Sequence, residues 1–294
     1  MQAESGPILL VEGPDALEAR IVRVTARLAA HGLAAPPGSR LARFPVLHRR
    51  FAAKELSPAG RGSLADVNEL LEGNRDFAEL ATIVEHLLPP HPPADPVLLP
   101  KLRLILGGAA FPSGDANPLA RNTQFELYAA ALFQGAGIPT LLREPDGIIT
   151  AGEVRLAVAA KRPGSPSHIR RLVRDAAKQV RKVGIPGIVA LSLDRLFAPN
   201  DERIVGRSAE DLKPAARELL HATVRPLLPD IDDAVAGTPV LLVLASLVIV
   251  SAVPVQNSIG RLGGVFLHGV KRPTDAQHAA LLHLARALGK PPDV

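Results

Sequence analysis

The chain of 294 residues predicts an α/β fold, a mixed sheet core flanked by helices and preceded by a mainly helical N-terminal region. Three observations predict it. Residues 1–88 carry apolar side chains at three- and four-residue spacing, the period of an amphipathic helix. From residue 120 the pattern becomes a helix, three strand-like runs, a second helix and a fourth apolar run, an α-β-β-β-α-β order within about 75 residues. Pro239–Val255 then runs for 17 residues without a charge and is rich in Val and Ile, as a strand covered on both faces should be.

In chain order, Pro14–His31 places Leu17, Ile21, Val24 and Leu28 on one helical stripe, opened by a proline near its first turn. Ser63–Leu71 and Asp76–Leu88 repeat that pattern. Residues 89–100 read PPHPPADPVLLP, six prolines in twelve, which suits neither a helix interior nor a central strand. A linker is expected there, separating residues 1–88 from 101–294; a rigid crossing loop inside one domain is the other reading. Ala120–Phe133 puts Phe125, Tyr128, Ala129, Leu132 and Phe133 on one helix face, and Gly135 and Gly137 end it. Ile138–Glu144 and Asp146–Thr150 read as strands around the Pro145 corner, Ala151-Gly152 as a hairpin turn, and Glu153–Lys161 as an alternating strand. The loop RPGSPS leads to a helix over Ser167–Val183 and a strand over Gly187–Leu193. A helix over Ser208–Leu228, the apolar strand, a strand at Gly264–His268 and a helix over Thr274–Leu288 follow.

Composition removes several chemistries. With 47% hydrophobic and 21% charged residues the chain is ordinary globular stock. It has no Cys and no Trp, so thiol nucleophiles, disulfides, Cys-held zinc and iron–sulfur clusters are excluded, leaving carboxylates, Lys, His, hydroxyls or a hard metal. There is no phosphate-binding G-x-x-x-x-G-K-[ST], no H-E-x-x-H and no G-x-S-x-G. Gly135-Ala136-Gly137 follows a helix rather than a strand, the wrong place for a dinucleotide loop, and His278 and His283 are five apart, poorly spaced for a shared metal. The N-terminus has no basic region ahead of its short apolar run, so a cytoplasmic protein is expected. Pro239–Val255 sits at the short edge of the membrane-spanning range, but its bounding proline and missing basic flank favour a buried strand, and no membrane partner is expected.

Three residues stand out together: Glu126 on the first helix of the α-β-β-β-α-β unit, Asp146 after Pro145 at the start of the second strand, and Lys161 at the end of the third. Through NTQFELY, EPDGII, LAVAAKR and the later AAKQV, residues 119–195 resemble the PD-(D/E)XK nuclease superfamily, the restriction-endonuclease-like fold. The resemblance implies a divalent-metal-dependent nuclease that hydrolyses DNA phosphodiester bonds, in defence against foreign DNA or in repair. By the same resemblance Asp146 and Glu126 hold Mg²⁺ or Mn²⁺, Lys161 stands beside the attacking water, and Gln179 matches the glutamine some branches carry on the following helix. The residue types suit that chemistry: a hard divalent ion prefers carboxylate oxygens and lowers the pKa of bound water, and an ammonium offsets charge developing at phosphorus.

One position departs from the motif. Where the family has Asp or Glu two residues before the lysine, this chain has Ala159, on the strand face of Lys161. Three readings stay open: the acid has migrated and Glu126 compensates, Ala159 is an engineered replacement, or the domain is a natural, catalytically inactive nuclease-like DNA-binding protein. Glu153 is too far to substitute, about 26 Å from Lys161 at roughly 3.3 Å per strand residue, whereas Glu144 shares the Asp146 face.

Charge is concentrated beside these residues. The chain carries +5 in all, yet Lys161–Lys182 holds eight Lys or Arg against Asp175 alone. Arg162, Arg170, Arg171, Arg174, Lys178, Arg181 and Lys182 are the expected DNA contacts, with Arg171, Arg174 and Lys178 striped opposite Ile169, Val173, Ala176 and Val180. With aromatics at 3%, stacking on single strands is disfavoured, so the expected partner is duplex DNA held by its phosphate backbone; a homodimer is left open.

Overall fold

A computed structural model describes the chain except residues 1, 12, 57–63, 109–117, 197–208, 254–257, 270–272 and 290–294. It is α/β, with one mixed, open sheet between helical layers. The strands are β1 (Gln2–Val11), β2 (Thr140–Leu141), β3 (Gly147–Ala151), β4 (Val154–Lys161), β5 (Gly187–Ser192), β6 (Val240–Val253) and β7 (Ser258–Gly269). They pair in the order β1-β7-β6-β5-β4-β3-β2, with β4, β5 and β6 parallel and the outer pairs antiparallel. The helices are α1 (Pro14–Ala30), α2 (Arg40–Ala52), α3 (Leu64–Leu87), α4 (Leu98–Ile105), α5 (Leu119–Gly135), α6 (Ile169–Val183), α7 (Ala209–Val224), α8 (Leu228–Val235) and α9 (Asp275–Gly289).

The sheet is covered on both faces. Leu156, Val158 and Ala160 of β4 pack with Phe125, Ala129 and Phe133 of α5 and Leu281 and Leu284 of α9. Ala157 and Ala159 face the other way, against Ile169, Val173, Ala176 and Val180 of α6. The β5 side chains are buried throughout, as burial on both faces demands. Gly187 lets α6 lie close, since a Cβ there would stand 2.5 Å from Val180 Cγ1 and 2.5 Å from the Ala157 carbonyl oxygen.

Helices α1 to α4 form a further layer. Their apolar residues, among them Leu17, Phe44, Leu70, Ile83 and Leu102, share one core with Leu127, Ala130 and Ala131 on the far side of α5. That makes α5 a central helix, buried toward the sheet and toward the helical layer alike. The expected linker ends in structure, because α4 begins at Leu98.

Several boundaries differ from expectation. The two stretches expected over 63–88 are one 24-residue helix, α3. Gly73 inside it does not break the helix: a Cβ there would come 2.9 Å from Phe44 Cδ2, so the glycine admits α2 instead. Helix α2 does not stand out within the mainly helical N-terminal region, since its interior Pro45 argues against a helix; Ser39 caps it by accepting from the Ala42 N–H. Likewise β1 is an unanticipated strand, and Ile138–Glu144 shrinks to the two residues of β2. The helix expected over 208–228 spans α7, a short 3-10 turn and the start of α8. Ser208 and residues 254–255 of the apolar run lie outside the described residues. Val240–Val253 of that run is β6, and no helix among the described residues is long and apolar enough to cross a membrane.

Candidate functional site

The β3–β4 hairpin carries the centre of the site. Its regular pairing ends at Gly147 opposite Val158, and Asp146 supplies the next rung twice over. The Asp146 N–H donates to the Val158 carbonyl at 3.1 Å, and Asp146 Oδ2 accepts from the Ala160 N–H at 2.7 Å. The carboxylate is thereby fixed against the end of β4, where Lys161 Nζ stands 3.7 Å from Asp146 Oδ2. Asp146 and Lys161, read from opposite sides of a hairpin, do meet.

Glu126 joins them from α5. Its Oε2 accepts from Lys101 Nζ of α4 at 3.1 Å. The charges of Glu126 and Lys101 both act on Asp146, so the four groups share one field. Burial pushes the Asp146 carboxyl up to about 6; the Lys161 ammonium opposes the rise, Glu126 adds to it, and the Ala160 N–H and Lys101 oppose it. Lys101 was not anticipated. Its only signal is a cation next to Leu98, Leu102 and Ile105, the buried face of an eight-residue helix.

Two carboxylates are one fewer than a three-acid centre. No group of three or more His, Asp or Glu able to hold a metal occurs among the described residues. Ala159 cannot be restored to an acid cheaply, because it is fully buried in the apolar layer beneath α6. Glu144 and Glu153 are exposed. Asp146 and Glu126 nevertheless suit a hard divalent ion, since Mg²⁺ is commonly held by one or two carboxylates with waters and substrate phosphate completing its shell. Gln179 is half-buried on α6 with its Oε1 lacking a hydrogen-bond partner, and no hydrogen bond or ion pair among the described residues joins it to Asp146 or Lys161.

The basic segment divides in two. Arg170, Arg171, Arg174, Lys178, Arg181 and Lys182 are exposed along α6, as expected. Acids line the stripe: Asp233 of α8 pairs with Arg170 and lies 3.9 Å from Arg174, while Asp175 lies within 3.9 Å of Arg171 and 3.7 Å of Lys178. Arg162 departs from the expected DNA-binding set. It points inward and is 5% exposed, gripped by Glu79 of α3 at 3.1 and 3.4 Å and by Asp194 at 3.1 Å, with the Arg121 carbonyl accepting a further bond at 3.2 Å. A buried arginine of this kind cannot reach a phosphate without abandoning two carboxylates.

Around Arg162 lies an ion cluster that sequence reasoning missed entirely. Asp76 Oδ2 meets Arg40 at 2.5 Å and Arg121 at 2.6 Å, and Gln124 bridges Arg40 Nη2 to Glu79 Oε2 at 2.6 and 2.5 Å. Burial alone would raise the Asp76 carboxyl, but the surrounding arginines hold it well below the carboxylate range. Burial raises Glu79, with Arg162 opposing and Asp194 adding to the rise. These residues come from α2, α3, α5, the end of β4 and the segment after β5, so the cluster ties the helical layer to the sheet directly behind Lys161. Comparison with protein-family models, curated proteins and solved structures finds no match to the chain.

Proposed function

We propose that the chain is a divalent-metal-dependent nuclease acting on duplex DNA, built on a restriction-endonuclease-like core and working in the cytoplasm in defence or repair. The observation that carries this reading is the approach of Lys161 Nζ to Asp146 Oδ2, 3.7 Å, with Glu126 in the same field. Asp146 and Glu126 would hold Mg²⁺ or Mn²⁺, which supplies Lewis-acid polarisation of the phosphoryl oxygen and a more acidic bound water. The Ala160 N–H keeps one carboxylate oxygen of Asp146 oriented. Lys161, only 17% exposed at its side chain, keeps its ammonium beside that carboxylate, where it can offset charge developing on the phosphate in a partly desolvated setting. The exposed cations of α6 would track the backbone, exchanging Asp175 and Asp233 for phosphate oxygens.

Plasmid cleavage tests this reading. Protein with Mg²⁺ or Mn²⁺ is expected to nick or linearise supercoiled DNA, and Asp146→Asn and Lys161→Met each to abolish it. A specific observation favours a second reading, a nuclease-like protein that only binds DNA: Ala159 is sealed under α6, leaving two acids. No cleavage with either ion, together with a salt-dependent gel shift lost on changing Arg171, Arg174 and Lys178 to Ala, would establish that second reading. A shift that survives the triple change would refute the α6 surface in both.

A further inference from the structure

Beyond the pairing of Asp146 with Lys161, the site holds a second ammonium that the proposed chemistry leaves unassigned. Lys101 comes from α4, whose Leu98, Leu102 and Ile105 are fully buried, so the helix is anchored on one face while Lys101 turns to α5. Its Nζ is 3.1 Å from Glu126 Oε2, and both side chains are largely enclosed, 29% and 22% exposed. Lys161 is engaged with Asp146. Each carboxylate of the site is therefore matched by its own ammonium, and the four groups sum to zero charge before any ion arrives.

We infer that Lys101 occupies the Glu126 carboxylate in the absence of a cation, so that a divalent ion enters the site by displacing this ammonium. Lys101 thus acts through Glu126 as a built-in competitor of the ion, and the inference rests on the proposed function. An ammonium and a divalent ion compete for the same oxygen lone pairs, and each is repelled by the other. Removing the lysine charge therefore makes the remaining pair of carboxylates a stronger cation trap, whereas damage to the fold would make it a weaker one. Lys101 sets the ion concentration at which the site fills, and it does so from a helix that follows the proline-rich segment rather than from the hairpin itself.

The test is Mn²⁺ binding followed by electron paramagnetic resonance, in the full chain without DNA, so that the readout does not depend on turnover. Lys101→Met is expected to bind Mn²⁺ roughly tenfold more tightly than the wild type, a partly enclosed charge at this distance being worth about that much. Lys101→Arg, which keeps the charge, is expected to bind like the wild type. Glu126→Gln is expected to bind more weakly, and Lys101→Met in that background to give no tightening, because the two residues act as one unit. Unchanged or weaker binding by Lys101→Met with a wild-type circular dichroism spectrum overturns the inference alone, provided Asp146→Asn still abolishes binding. A wild-type chain that takes up no Mn²⁺ overturns the metal-dependent reading and this inference with it.

Discussion

Replacing Asp146 by Asn should make the protein more stable at neutral pH, a result opposite to that of most changes to a buried polar residue. The Asp146 side chain is 7% exposed, and its carboxyl is raised from 3.8 to about 6, burial being the largest cause. A shift of about two units corresponds to about 3 kcal/mol between the two protonation states. Because the folded carboxyl holds its proton more tightly than the unfolded one, its contribution to stability is fully present below pH 3.8 and is lost as pH rises through about 6. Above that the ionised group costs the fold about 3 kcal/mol. Asparagine avoids this cost and can still accept from the Ala160 N–H, and the lost attraction to Lys161 is already contained in that figure, because the ammonium opposes the rise. The expected net gain at pH 8 is about 3 kcal/mol, shrinking to nothing at pH 4. With no Trp and Tyr128 the only Tyr, urea titrations followed by far-ultraviolet circular dichroism at pH 4, 6 and 8 are the suitable assay. A variant that is less stable than wild type at pH 8, or equally favoured at pH 4 and pH 8, would refute the burial of this carboxyl as the source of its shift.

The other predictions concern the packing around the site. Arg162→Met removes the buried guanidinium shared by Glu79 and Asp194 and should cost about 3–5 kcal/mol in urea titrations. Whatever fraction folds should bind duplex DNA like the wild type; weakened binding by folded Arg162→Met would return this residue to the interface. Gly187→Ala forces a Cβ against Val180 and the Ala157 carbonyl, and should lower stability by about 1–3 kcal/mol, read as a lower melting temperature.

The sheet's centre was legible because its signal is local. Alternation over Glu153–Lys161 and unbroken apolarity over β5 and β6 follow directly from burial on one or both faces. Its edges were not. At one end of the order, β1 contains Gly6-Pro7, which reads as a break; the register shift between Ser5 and Ile8 accommodates it, and an edge strand tolerates a residue lacking an N–H. At the other end, β2 is limited to Thr140 and Leu141 between Pro139 and the Arg143-Glu144-Pro145 corner. The hairpin pair Asp146 and Lys161 could be read from strand ends, whereas Lys101, Glu79 and Asp76 reach their partners across 25 to 83 residues of chain, where no spacing rule applies. A charged residue on a helix usually signals solvent. In α3 and α5 that inference fails, because the charges face one another across a helix-to-helix seam.

Four consecutive residues at the end of β4 show how the fold serves the site. Ala159 is locked into the apolar layer under α6, the Ala160 N–H holds Asp146 Oδ2, Lys161 reaches the same oxygen, and Arg162 plunges into the ion cluster behind. An extended strand sends neighbouring side chains to opposite faces, so anchoring Ala159 on one side and Arg162 on the other fixes the backbone at Lys161 between them. The Asp146 contact then has only the rotamers of Lys161 to order, on a backbone already fixed. Glu79 thus bears on Lys161 without touching it. The helical layer supplies that anchor through α3 and supplies Lys101 through α4, so both ammoniums of the site depend on helices that precede the hairpin in the chain.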